Sequence, residues 1–250
     1  MSASEYQVMY QIEDDYFWYN ALHHLLHQLI KKYSGDISAR DLRIIDCGCG
    51  TGGALVKLLP HYPEIMAFDY STDAIGCCRS RGLMNVKQMS ITDIGFPSAT
   101  FDIAYSMDVL CVLENALCAQ ALSEIRRILD KNGVFIFNLP AFEHLRSEHD
   151  EAVMIKRRFR RPKLAEELRA AGFRLEWINY RVTSLFPAIS LMRLVKKKRL
   201  PQEQLAHSDL KPLPRIINRV LTQLLIAENV VVQKVPMPFG LSVFGVARKI

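Results

Sequence analysis

Three glycines alternate with other residues in the run Asp46-Cys47-Gly48-Cys49-Gly50-Thr51-Gly52-Gly53, directly after the apolar pair Ile44-Ile45. That spacing suits a buried strand ending in a tight turn, where a missing Cβ lets backbone N–H groups close on a ligand. The following Ala54–Leu59 reads as a helix, so the turn would offer a helix N-terminus to a nucleoside or phosphate. Asp69 lies 23 residues after Asp46, at the end of the next apolar stretch. An acid there can accept both hydroxyls of a ribose. The glycines alone leave a dinucleotide open, but that fingerprint runs G-x-G-x-x-G and this one runs G-x-G-x-G.

The elements that must hold these residues alternate from Leu42 onward. Strands are expected at Leu42–Cys47, Ile65–Asp69, Asn85–Met89, Phe101–Ser106 and Gly133–Leu139, with helices at Gly53–Leu59, Thr72–Arg81 and Ala116–Asp130 between them. Lys131-Asn132-Gly133 is a helix-stop signal. Repeated strand–helix alternation predicts a parallel sheet covered on both faces. A further helix is expected over Arg161–Ala171, a strand over Phe173–Thr183, a helix near Ile216–Val232 and a last strand over Phe239–Arg248. Ahead of the sheet, residues 5–33 have helical apolar spacing, interrupted by the aromatic cluster Tyr16-Phe17-Trp18-Tyr19.

The glycine run resembles the first motif of the class I S-adenosylmethionine (SAM) dependent methyltransferases, D-x-G-x-G-x-G, at all four positions. Further segments agree in order: Asp69-Tyr70-Ser71, Ser90-Ile91-Thr92-Asp93-Ile94, Phe101–Leu110 and Glu124–Gly133. The resemblance covers roughly residues 42–140, and ordered concordance is far more specific than any single motif. It implies an α/β fold: a Rossmann-like doubly wound seven-stranded sheet with the last strand antiparallel. It also implies SAM as cofactor and S-adenosylhomocysteine (SAH) as product. Asp46, Gly48, Cys49, Gly50 and Gly52 would cradle the cofactor. Asp69 would bind the ribose, with Tyr70 beside the adenine and Ser71 also binding the cofactor. Asp93 would meet the adenine amine, Ile94 would cover the ring, and Ser106 and Met107 would face the methionine end.

Pro140-Ala141 leads a loop through His144 to Ser147-Glu148-His149-Asp150, ahead of Arg157-Arg158-Phe159. It resembles a loop of a bacterial methyltransferase subgroup, as do the N-terminal aromatics and the terminal Pro238-Phe239-Gly240-Leu241-Ser242. Phe159 stands where the subgroup often has Tyr. The loop would emerge at the carboxyl edge of the sheet, so His149 and Asp150 are the expected catalytic pair. A loop-stabilising hydrogen bond is the alternative. Tyr16, Trp18, His144 and Arg158 are expected to bind the acceptor, the aromatics as a lid over the cofactor or as a helix packed on the sheet edge. His23, His24 and His27 read as helix surface.

Half of the 250 residues are hydrophobic and 23% are charged, ordinary for a globular chain. No apolar run approaches the ~20 residues of a membrane span. The acidic N-terminus does not resemble a signal peptide, which sets the expectation of a cytoplasmic protein. The six cysteines contain no C-x-x-C pair, so they are expected as packed thiols, with no metal. Residues 1–153 hold 12 Lys and Arg against 20 Asp and Glu, a net of −8. Residues 154–219 hold 17 against 5, a net of +12. A basic block fits an anionic partner or a solvated face. It is not interleaved with stacking aromatics, and the chain has no appended RNA-binding module, so nucleic acid is not the expected partner.

The chain divides into an N-terminal helical cap (1–40), a SAM-binding core (41–183), an insert (184–238) and a final core strand (239–250). The insert would build the acceptor pocket or a dimer contact, leaving monomer or homodimer open. Its apolar Leu185–Val195 followed by Lys196-Lys197-Lys198-Arg199 fits a peripheral membrane contact, or ordinary packing of an amphipathic helix. Together these features point to methyl transfer onto a hydroxyl or amine of a small-molecule, glycan-linked or lipid-linked acceptor. An RNA methyltransferase and a non-catalytic SAM-binding scaffold are the rivals.

Overall fold

The computed structural model describes residues 1–197 and 212–250. Among them the alternating pattern becomes strands β1 (Ile44–Cys47), β2 (Met66–Asp69), β3 (Val86–Gln88), β4 (Phe101–Met107), β5 (Leu129–Pro140), β6 (Phe173–Arg181) and β7 (Ser242–Lys249). They form one seven-stranded sheet in the order β3-β2-β1-β4-β5-β7-β6. β1 to β5 pair in parallel, and β7 runs antiparallel between β5 and β6. The strand order reverses between β1 and β4, so the crevice at their carboxyl ends is where an open α/β sheet takes its ligand.

Continuous apolar runs such as Phe135-Ile136-Phe137 bury both faces of the sheet. Helices α5 (Asn115–Ile128) and α7 (Arg161–Ala170) cover one face; α2 (Phe17–Tyr33), α3 (Gly53–Leu58) and α4 (Thr72–Ser80) cover the other. Leu22, Leu25, Leu26, Leu29 and Ile30 repeat at helical spacing on the buried stripe of α2. Each such side chain contributes about 1.5–3 kcal/mol by leaving water. All six cysteines are free and buried.

Three expected elements differ. The helical stretch over 5–33 is two helices, α1 (Ala3–Ile12) and α2, broken at Glu13–Tyr16. Tyr16 takes an extended backbone there, and the open Phe17 N–H donates to Asn218 Oδ1 at 2.8 Å, a cap supplied from far along the chain. Helix α5 stops at Ile128 rather than Asp130, because Leu129 turns extended and pairs with Phe101. The Lys131-Asn132-Gly133 signal is then a kink inside β5, with Asn132 at φ +64°.

The insert contributes α8 (Phe186–Lys197) and α9 (Arg215–Val232); Lys198 and Arg199 of the basic run lie outside the described residues. Helix α9 lies along α2 and is tied at its buried side. Asn229 Nδ2 donates to Ala21 O at 2.9 Å, and Glu228 accepts from the Thr183 and Ser184 N–H groups at 2.8 Å. The cap and the insert, separate in sequence, therefore pack together over the same edge of the sheet. Among the described residues no helix is long and apolar enough to cross a membrane.

Candidate active site

β1 delivers the chain into the glycine turn, which is pinned to β2 by the Gly48 and Cys49 N–H groups, both donating to Phe68 O at 2.9 Å. Gly48 sits at φ +100°, and a Cβ on it would lie 2.3 Å from Val109 Cγ2, so the position excludes any side chain. At the end of β2, Asp69 accepts the Gly50 N–H on Oδ2 and the Ser71 N–H on Oδ1, each at 2.9 Å. Burial raises the Asp69 pKa, and these backbone donors pull against that rise. An ionised carboxylate can accept about four hydrogen bonds, so Asp69 keeps acceptor capacity beyond these backbone donors.

Helix α1 covers this corner. Tyr6 is buried there, and burial with the Asp69 charge pushes its phenol up to about 12 against a hydrogen bond with Ser71. Met9 closes on Gly50, its Cε 3.2 Å from where a Cβ would stand. The Thr51 hydroxyl donates to Glu13, which also pairs with Arg81 at 2.9 Å, while Asp14 holds the same guanidinium at 2.6 Å. Burial lifts Glu13 to about 7, with Thr51 and Arg81 opposing the rise.

Residues 45–137, the strands and helices that build this corner, match the family described as a methyltransferase domain. This part of the chain is a class I, SAM-dependent methyltransferase domain. The chain is 27% identical over 125 residues to the bovine (Bos taurus) EEF1A lysine methyltransferase 4, covering 43% of this chain and 49% of that protein. It is 28% identical over 110 residues to the phosphatidylethanolamine N-methyltransferase of Cereibacter sphaeroides, covering 41% and 53%. The chain thus spans about half the length of these two curated relatives. Among solved structures, a chain of the Haloferax volcanii complex with the Trm112 methyltransferase activator superposes with a TM-score of 0.62 at 18% identity, over 98% of this chain and 93% of that one. Identity that low speaks to the fold alone.

The corner fits the cofactor of such a domain: a cradle that a Cβ would fill, an acid at the strand end beside it, and a buried Ile94. Ile94 is held by its N–H donating to Glu124 Oε2 at 2.8 Å. Asp93 is exposed, and so is Tyr70. Ser71 caps α4. Asp46 is buried on β1 opposite Tyr105 of β4, and burial raises the pKa of both. Ser106 spends its hydroxyl on Cys47 O at 2.8 Å, while Met107 ends β4 half-buried. Cys49 turns inward, its Sγ 3.8 Å from Cys78 Sγ, and Gly52 opens α3 at φ +86°.

Past β4 the methyltransferase domain meets a second, more polar group of residues. Asp108 follows Met107 at φ +59°, an uncommon backbone outside glycine. Its N–H donates to Asn138 O, and Asn138 Nδ2 lies 2.9 Å from both its carboxylate oxygens. Burial raises Asp108 to about 6, with Asn138, Arg181 and Arg158 lowering it in turn. Arg181, at the end of β6, is 1% exposed, donates through Nε to Asn229 Oδ1 at 3.0 Å and lies 5.7 Å from the Trp18 ring. From α2, Tyr19 stands in the field of Asp108 and His23 in that of Arg181. Burial pushes the Tyr19 phenol far up and the His23 imidazole down to about 3, so both are neutral at pH 7. His23 is therefore a buried group and not helix surface. His27 instead stacks on His61 at 4.2 Å.

The aromatic cluster leans over this polar group through Trp18, and α1 covers the glycine turn. Tyr16 sits at the start of α2, its ring 4.8 Å from that of Phe17. Of the expected catalytic pair, Asp150 is fully buried on the short helix α6 (Glu148–Ala152). It caps that helix by accepting the Ser147 N–H at 2.8 Å and binds Arg158 through both oxygens, at 2.7 and 3.1 Å. Arg158 also donates to Ala141 O at 2.8 Å, so the pair fastens the loop after β5. His149 is half-buried on the same helix, and His144 is exposed, its ring 5.5 Å from that of Phe142.

Sequence reasoning assigned no role to Tyr6, Asn138 or Arg181. A signal was present for the last: Asn179 and Arg181 stand two apart at the end of β6, which puts two polar groups on one face of the strand, and both are buried.

Proposed function

We propose that the chain transfers the methyl group of SAM to a hydroxyl or amine of a small-molecule, glycan-linked or lipid-linked acceptor. The observation that supports this best is the corner in which Asp69, tied to Gly50 and Ser71, keeps acceptor capacity beside the glycine turn and the buried Tyr6. SAM supplies an electrophilic sulfonium methyl when bound. The chain's own residues must align the acceptor heteroatom, keep water away and hold its proton, which is where most of the rate of a displacement arises. Asp108 is placed for the last task. With a pKa near 6 it is ionised at pH 7 and can bind an ammonium or take a proton from the attacking atom. Trp18 and Tyr19 would close the site to water. Asp150, already paired with Arg158, would hold the loop after β5, and His149 beside it would line that loop.

The two relatives are named for a lysine side chain and for phosphatidylethanolamine, both amine acceptors, which favours an amine here. The RNA reading loses support from the basic block itself. Arg157 pairs with Glu167 at 2.5 Å and Arg158 with Asp150 at 2.7 Å, so these charges fasten the fold and do not line a phosphate track.

Calorimetry with SAH tests the cofactor assignment. The wild type should bind SAH, and Asp69→Ala should weaken it by about 10- to 100-fold, the worth of one or two hydrogen bonds to a charged group. Equal affinity in the variant, or no binding to the wild type, would overturn the reading.

A further inference from the structure

Two arginines are almost completely buried at the carboxyl edge of the sheet, and they differ in one respect. Every side-chain nitrogen of Arg158 has a partner, in Asp150 or Ala141 O. Arg181 is 1% exposed and donates only through Nε, to Asn229; Nη1 and Nη2 have no hydrogen-bond partner among the described residues. A guanidinium holds its N–H bonds in its own plane, so the Trp18 ring beside it attracts the charge without accepting those protons. Asp108 and Glu228 attract Arg181 at longer range, and neither forms an ion pair with it. A buried charge with a whole edge of donors unmet is costly to fold around.

The surrounding backbone shows that the position is specified. Val182, directly after Arg181, has φ +61°, which a β-branched residue rarely adopts. A Cβ on Gly240 would stand 2.3 Å from Arg181 O, so the chain entering β7 presses against this residue and admits only glycine. Register sets Arg181 opposite Ser242, which is opposite Pro140, two residues past Asn138 on β5. Arg181 and the Asn138–Asp108 pair thus share one face and one end of the sheet.

Given the methyl-transfer reading, on which this rests, we infer that Arg181 recognises an anionic group of the acceptor, a carboxylate or a phosphate. The open Nη1/Nη2 edge matches two oxygens of either in a bidentate contact. Asn229 and Trp18 hold the guanidinium while Asp108, at the end of β4, meets the part of the acceptor that receives the methyl. The acceptor class is therefore a molecule carrying both an anionic group and a nucleophilic amine or hydroxyl.

The test uses the full chain saturated with SAH and titrates inorganic phosphate, propionate and neutral propionamide, reading binding by calorimetry and by thermal shift. Phosphate or propionate should bind saturably, the better of the two identifying the acceptor's anion, and propionamide should not. Arg181→Met, close in volume and uncharged, should weaken that binding by about tenfold or more while SAH affinity stays within about twofold. Arg181→Lys should lose propionate more than phosphate, because an ammonium is a point charge and not a fork. Anion binding that is absent from the wild type, or unchanged in Arg181→Met, would overturn the inference. If SAH itself fails to bind, the same titrations on the ligand-free protein still decide the Arg181 site, so the two failures are separable.

Discussion

At the scale of single residues, the proposed cofactor corner and acceptor corner offset the burial of a carboxylate to different degrees. Asp69 is surrounded by backbone donors that favour its charge, whereas Asp108 has only Asn138 and distant arginines to offset its burial. Asp108 should therefore titrate in the working range. Because its pKa is raised to about 6, the carboxylate is lost as pH falls through that value. Turnover at saturating SAM should rise from pH 5 to pH 7 with an inflection near 6, and Asp108→Asn should remove the inflection and lower kcat by about 100-fold or more. SAH affinity, measured separately, should hardly move; a variant that keeps both the rate and the inflection would take Asp108 out of the proton's path. The contrast also shows what the sequence could and could not reveal. Asp69 and Gly48 were legible because their chemistry is fixed by local spacing, strand end and turn. Asn138 was not, and Arg181 showed only as half of a polar pair, since their meaning depends on α9 and α2 covering the same strand ends, a contact between segments about 200 residues apart.

At the scale of elements, the end of α1 is clasped to the glycine turn by the polar cluster Glu13–Thr51–Arg81–Asp14. Glu13 is 1% exposed, and its burial outweighs the pull of Arg81, which leaves its folded pKa near 7. The unfolded chain titrates Glu near 4.3, so between those values the folded state holds a proton that the unfolded state has lost. The stability associated with that proton is complete below about pH 4 and falls as pH rises through 7, by up to about 3 kcal/mol for a shift of this size. Urea unfolding at pH 5 and pH 8 should show the wild type losing stability over that interval relative to Glu13→Gln. Parallel pH dependence in the two proteins would contradict the assignment. The break at Glu13–Tyr16 that creates this clasp was hidden within a continuous helical apolar pattern. It becomes visible only when Asn218 is seen capping Phe17.

At the scale of the whole molecule, the charge asymmetry read from the sequence divides into two kinds of basic residue. Those at 157 and 158 are internal, while Arg215 and Arg219 stand exposed at the start of α9. Between and beside them Ile216, Ile217 and Val220 are exposed by 79%, 50% and 61%, an apolar stripe flanked by cations on a helix whose opposite side is tied to α2. Leu191 and Met192 of α8 are exposed as well. Apolar side chains rimmed by arginines complement an anionic lipid surface, which would bring a lipid-linked acceptor to the edge where Arg181 and Asp108 stand. The protein should sediment with vesicles containing phosphatidylglycerol at about 50 mM salt and be released at about 0.5 M, because screening removes the cationic contribution. Neutral phosphatidylcholine vesicles should leave it in solution. Ile216→Glu with Val220→Glu should abolish sedimentation without lowering the melting temperature, since neither side chain supports the core. If the stripe joins two copies instead, ultracentrifugation will show a dimer that the same pair of substitutions splits, and vesicle binding will be absent from the wild type.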